Sequence, residues 1–118
     1  MSSVLLAEDE FLIRAVLVDA LSGAGLTCIE AATGQAALDV VTSNAPLSAI
    51  IVDIGLPDMS GEKVIKAALE RRPGVPIIRC SGRAGPTITG SDNVHVVSKP
   101  YSAAELSEFV ASLIQSGA

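Results

Sequence analysis

The feature that most constrains the fold is the run Ser48-Ala49-Ile50-Ile51-Val52-Asp53, an apolar segment that stops on a carboxylate. Ile50, Ile51 and Val52 lack the period-two alternation of a half-solvated strand, so both faces must be covered, as in the centre of a parallel sheet. Parallel strands need crossover connections, normally helices. Asp53 is the first residue of the run with an exit. In open α/β sheets ligands gather beyond the carboxyl ends of the strands, which places this acid for chemistry rather than for packing.

The rest of the chain supplies the crossovers. Val4-Leu5-Leu6-Ala7 reads as a first strand and runs into Glu8-Asp9-Glu10. From Glu10 to Ala24 the spacing turns helical, with Ile13, Val16, Leu17, Ala20, Leu21 and Ala24 on one face and Arg14 and Asp19 off it; Gly23 and Gly25 end it. Residues 27–31 form a second strand, polar enough to lie near an edge. Thr33 is the expected N-cap of a helix carrying Ala36, Ala37, Leu38, Val40 and Val41. After the loop with Pro57 and Gly61, a third helix presents Val64, Ile65, Ala68 and Leu69 and closes at Arg72-Pro73-Gly74. Residues 75–80 are a fourth strand leading into Ser81-Gly82. Gly85, Pro86 and Gly90 then make any fourth helix short, distorted or missing. Residues 94–98 are a fifth strand delivering Lys99-Pro100. Ser102, with Glu105 three residues on, starts a last helix with Leu106, Phe109, Val110, Leu113 and Ile114 facing inward. The expected fold is α/β, a doubly wound five-stranded parallel sheet with helices on both faces. Residues 1–118 are expected to make a single domain, with no room within them for an appended DNA-binding module.

Charge narrows the functional classes. The formal net charge is −5, and of eight basic residues only Arg71 and Arg72 are adjacent, so no nucleic-acid surface is expected. That pair falls at a helix end, where the dipole favours cations. No apolar stretch approaches the roughly 18 to 20 residues that span a bilayer, and the N-terminus lacks a signal core, so no membrane contact and a cytoplasmic location are expected. Cys28 and Cys80 have no metal-ligand spacing and read as small core hydrophobes.

Four strands end in polar side chains able to converge: Glu8 and Asp9, then Asp53, then Ser81, then Lys99. Three carboxylates together repel one another, and a hard divalent cation and a nearby ammonium both relieve that. Mg²⁺ suits one or two carboxylates plus waters and phosphate oxygens, and Lys99 offers a point charge for a phosphoryl oxygen. Taken singly, the acids are ordinary loop residues, Ser81 a turn residue and Lys99 a surface charge. Their joint placement at strand ends is what points to function.

The set resembles the receiver domain of the response regulators of two-component signalling, over the whole chain. The matching residues are Glu8-Asp9, Asp53 followed by Leu56-Pro57-Asp58-Met59-Ser60-Gly61, Ser81-Gly82 and Lys99-Pro100-Tyr101. The resemblance implies a flavodoxin-like strand order 2-1-3-4-5. It implies that Asp53 is the phosphoacceptor, with Lys99 and Ser81 assisting, and that Mg²⁺ is held by Asp9, Asp53 and the Gly55 backbone carbonyl, with Glu8 acting through water. The donor is then a histidine kinase or histidine phosphotransfer protein, or a small donor such as acetyl phosphate. Output passes through an unidentified target protein. No external substrate is turned over beyond phosphorylation and autodephosphorylation at Asp53.

The chain also departs from the family pattern. Val96 stands three residues before Lys99, where relatives usually carry Tyr or Phe; the interval from Ser81 to Lys99 is a few residues short, and its irregular part, 83–93, is expected to be a mobile loop whose order changes on phosphorylation. Gly55 and Arg83 occupy positions that in the family modulate loss of the phosphoryl group. The Lys99-Pro100 bond is expected in cis, with a trans turn the alternative. His95, between Val94 and Val96, reads as an edge or partly buried histidine. Two other functions remain open: a receiver-like binding module that is not phosphorylated, and a small Mg²⁺-dependent phosphohydrolase. The second is disfavoured because Gly55 fills the position where an aspartyl phosphatase needs a second acid.

Overall fold

The alternation of strands and helices folds as β1 (Ser2–Ala7), α1 (Phe11–Gly23), β2 (Leu26–Ala31), α2 (Gly34–Val41), β3 (Ala49–Asp53), α3 (Gly61–Arg71), β4 (Ile77–Ser81), β5 (Val94–Ser98) and α4 (Ala103–Ser116). The structure, a computed structural model, describes residues 2–81 and 93–116. The irregular segment expected at 83–93, Arg83 included, therefore lies outside the described residues apart from Asn93. All pairings are parallel, and the strands run in the order β2-β1-β3-β4-β5. That is the flavodoxin-like order the resemblance implied.

The strand that ends on Asp53 is central, and all five of its residues are buried, which accounts for its lack of alternation. Leu5, Ala7, Ile50, Val52 and Ile77 pack with α2 and α3 on one face, while Val4, Leu6, Ala49, Ile51, Ile78 and Cys80 pack with α1 and α4 on the other. The polar β2 is an edge strand, as its composition suggests. Register sets Ala7 beside Val52, Asp53 beside Cys80 and Ser81 beside Ser98, so the strand ends that carry the candidate residues finish at one rim of the sheet.

Three helix starts carry side-chain caps, those at Thr33 and Ser102 as expected and that at Ser60 in addition. Thr33 Oγ1 accepts from Ala36 N at 3.0 Å, Ser60 Oγ from Glu62 N at 3.2 Å, and Ser102 Oγ from Glu105 N at 3.2 Å. Other expectations need correction. Val16 is 58% exposed and lies one turn from Leu12 on the outer flank of α1, because Leu17 and Leu21 form the centre of its buried stripe. Phe109 is not fully inward either; it sits at the rim, its ring edge-on to half-buried His95 with centroids 5.5 Å apart. Arg72 does more than sit in a helix dipole. It closes α3 and donates to the carbonyls of Val40, Val41, Ser43 and Ala45, satisfying the C-terminus of α2 instead.

Both cysteines are free. Burial pushes the Cys80 thiol up to about 12 and that of Cys28 up to about 11, so each behaves as a neutral hydrophobe. No helix among the described residues is long and apolar enough to cross a membrane.

Candidate functional site

Four of the five strand ends each deliver part of the site. Asp53, 7% exposed, closes β3, and its Oδ1 accepts from Gly55 N at 3.2 Å. The same oxygen lies 3.1 Å from Lys99 Nζ, brought in from the end of β5. Lys99 N donates to the Ser81 carbonyl at 2.8 Å, which ties the β4 and β5 ends together, and the Lys99-Pro100 bond is cis, as expected. Glu8, only 2% exposed, follows β1, and its Oε2 accepts from Glu10 N at 3.1 Å. Exposed Asp9 completes an acid cluster in which Glu8, Asp9 and Asp53 each offer an oxygen within 4.8 Å of the others. A cleft of about 360 Å³ is lined by Asp9, Glu10, Asp53, Ile54, Gly55, Ser81 and Lys99. The residues singled out in the sequence thus converge. His95 and Val96 do not line the cleft.

The electrostatics follow from crowding acids at a buried rim. Burial, reinforced by the charge of Asp53, pushes the Glu8 carboxyl up to about 7 against the opposing hydrogen bond from Glu10 N. Burial works against the charge on Lys99, but its hydrogen bond to Asp53 and the charges of Asp53 and Glu8 outweigh that and raise it. The Lys99 ammonium thus answers Asp53 and Glu8 within a cluster of three carboxyl groups. The donor set is hard oxygen only, with carboxylates at both buried and exposed depths, which fits a Mg²⁺-sized cation that keeps several waters.

Supporting residues were less visible in the sequence. Arg14 donates from Nη1 to the Glu8 carbonyl at 2.8 Å and from Nε to Glu30 at 3.0 Å, bracing the turn that carries the acid pair. Asp58 accepts from Gly34 N at 2.7 Å and Gln35 N at 2.9 Å; those two bonds hold its carboxyl below the usual range and dock the loop after Asp53 onto the start of α2. Asp58 belonged to the quoted motif, but nothing in its spacing shows a helix cap formed 24 residues upstream. Gly61 is required where its Cα meets the backbone: an added Cβ would stand 2.9 Å from Ile54 Cα and collide with the Asp53 carbonyl.

Comparison with known proteins agrees with this fold. The family model described as response regulator receiver domain matches residues 4–111. The response regulator receiver protein CpdR of Brucella abortus is 31% identical over 105 residues, covering 86% of this chain and 87% of CpdR. The DNA-binding transcriptional regulator NtrC of Klebsiella pneumoniae is 37% identical over 73 residues, 62% of this chain, and the chain spans only 15% of NtrC. A crystal structure of a response regulator receiver protein from Sinorhizobium medicae superposes with a TM-score of 0.84 at 24% identity, over 99% of this chain and 97% of that one, a likeness of fold.

Proposed function

This chain belongs to the response regulator receiver domain family, and from that premise we propose that it is a phosphoacceptor signalling protein in which Mg²⁺-dependent phosphorylation of Asp53 switches a protein-binding surface. The observation that carries the reading is the buried Asp53 carboxylate held 3.1 Å from the Lys99 ammonium at the edge of a three-acid cluster. An Asp53 oxygen attacks the donor phosphorus while the bond from phosphorus to the imidazole nitrogen of a phosphohistidine, or to the acetate oxygen of acetyl phosphate, breaks. The leaving group departs with the electron pair, and Asp53 becomes an acyl phosphate. Asp9, Asp53 and the Gly55 carbonyl, with Glu8 through water, are the groups to hold Mg²⁺. When bound, the ion neutralises charge on the incoming phosphoryl oxygens. Lys99 stays protonated and balances the oxygens in flight, and the Ser81 hydroxyl donates to the phosphoryl group once transferred.

A protein donor has a surface to sit on. Phe11, Leu12 and Val16 are exposed on α1, with Leu12 at 77%. A groove past Leu12, Val16, Tyr101 and Ala103 shares Ile13 and Tyr101 with a hollow that reaches Lys99, itself a wall of the acid cleft. This continuity supports a histidine kinase or histidine phosphotransfer protein as the donor. Gly55 puts no acid two residues after Asp53, so no external substrate is turned over.

Incubation with Mg²⁺ and acetyl phosphate, read by intact mass, tests the proposal. The expected result is an adduct of about 80 Da, the mass of one phosphoryl group, that is absent from Asp53→Asn. No adduct on the wild-type protein from either acetyl phosphate or a phosphohistidine protein would overturn it and leave the unphosphorylated binding module.

A further inference from the structure

Arg79 lies in the middle of β4 and is 6% exposed, a charge taken out of water on the α3-facing side of the sheet that Ile77 shares. Its Nε contacts Glu62 Oε1 at 2.6 Å, whereas its Nη1 is buried with no hydrogen-bond partner among the described residues. The in-register neighbours are Val52 on β3 and Val96 on β5, neither of which offers an acceptor side chain. A buried arginine with one ionic partner and one idle donor is a poor source of stability, because desolvation offsets most of the attraction. It is, however, a directional tether. The two-residue period of a strand puts Arg79 on the same face as Ser81, two residues on. Glu62 follows Gly61, whose N–H donates to the Ile54 carbonyl at 3.0 Å and closes the loop after Asp53. The ion pair therefore spans the strand end that carries Ser81 and the helix start that closes the phosphoacceptor loop.

We propose that Arg79 is a positioning residue: gripped by Glu62, it fixes the end of β4 against the start of α3 and so holds Ser81 at the distance from Asp53 that phosphoryl acceptance requires. The structural half stands on the ion pair alone, and the functional half rests on the phosphoacceptor reading above. The β4 end has two built-in reporters, since Ile54 N donates to the Cys80 carbonyl at 3.1 Å and Lys99 N to the Ser81 carbonyl at 2.8 Å.

Amide hydrogen exchange on Arg79→Met tests the tether, a variant that removes the buried charge and leaves partly exposed Glu62 free to hydrate. The Ile54 and Lys99 amides are expected to exchange about five-fold faster or more, with Leu6 in central β1 within about two-fold of wild type. Arg79→Lys, which keeps a charge for Glu62, recovers part of that protection. In labelling with acetyl phosphate, Arg79→Met reacts several-fold more slowly at saturating Mg²⁺ while its half-saturating Mg²⁺ concentration is unchanged, a split that general loosening does not produce. Unchanged exchange at both reporters, equal acceleration at Leu6, or identical behaviour of Lys and Met overturns the tether. If the wild-type protein takes no phosphoryl group, the phosphoacceptor reading falls and the exchange measurements still decide the tether.

Discussion

Glu8 is where burial and like charge meet most directly, and its behaviour with pH follows from that. Its carboxyl is raised from an ordinary value near 4.5 to about 7 in the folded protein, chiefly by burial and then by the charge of Asp53. An acid that is harder to ionise when folded costs stability once the unfolded chain has ionised. The cost is therefore absent below about pH 4.5, grows between about 4.5 and 7, and is fully present above that. Without divalent cation, Glu8→Gln is expected to be more stable than wild type at pH 8 by on the order of 1–3 kcal/mol and equal to it at pH 4, measured by urea denaturation. The amide can still accept from Glu10 N, so the gain reports the charge alone. The residues of the cleft were legible because each sits at or just past the end of a strand, where an apolar run must yield to something polar. Their supports were not: Arg14, Asp58 and Arg79 act on partners 6 to 24 residues away, through contacts that exist only once the sheet has formed.

At the scale of elements, α2, α3 and the loops at their ends are held by specific polar contacts in addition to their apolar packing. Arg72 satisfies four carbonyls at the end of α2 with one planar guanidinium, including 2.7 Å bonds to Ala45 and Ser43. Arg72→Met is expected to lower stability by about 1–3 kcal/mol, and Arg72→Lys to rescue little, since one ammonium cannot copy the fork; chemical denaturation of the two variants measures both. A second contact is steric. Gly61→Ala must push the backbone of Ile54 away from α3, so it should cost about 1–3 kcal/mol and also slow phosphoryl acceptance, seen as a lower adduct yield at fixed time. Helix positions were readable from periodicity, and β3 most clearly from an unbroken apolar run. The burial of individual helix residues was less so, because Val16 and Phe109 fit an apolar stripe in sequence but lie at its margin, and only the neighbouring element decides how wide the covered stripe is.

Over the whole molecule, the chemistry sits at one rim and the largest exposed apolar side chains lie beside it. Phe11, Leu12 and Val16 stand on α1, shortly after the acid pair, and the groove that Leu12 and Val16 border runs by way of Tyr101 and Pro100 to Lys99. A small donor reaches Asp53 through the cleft without touching that groove, whereas a phosphohistidine carried on a protein must bring its own surface against α1. The two donors are therefore separable by mutation. In Leu12→Ala/Val16→Ala, labelling by acetyl phosphate should stay within about two-fold of wild type, while transfer from a phosphohistidine protein falls about ten-fold or more, as expected when two apolar contacts near the middle of an interface are truncated. Both side chains are exposed, so the fold should tolerate the change, and an unchanged urea midpoint checks that. Equal slowing with both donors would mean that α1 shapes the cleft itself, and equal rates with both would move the donor surface elsewhere on the rim.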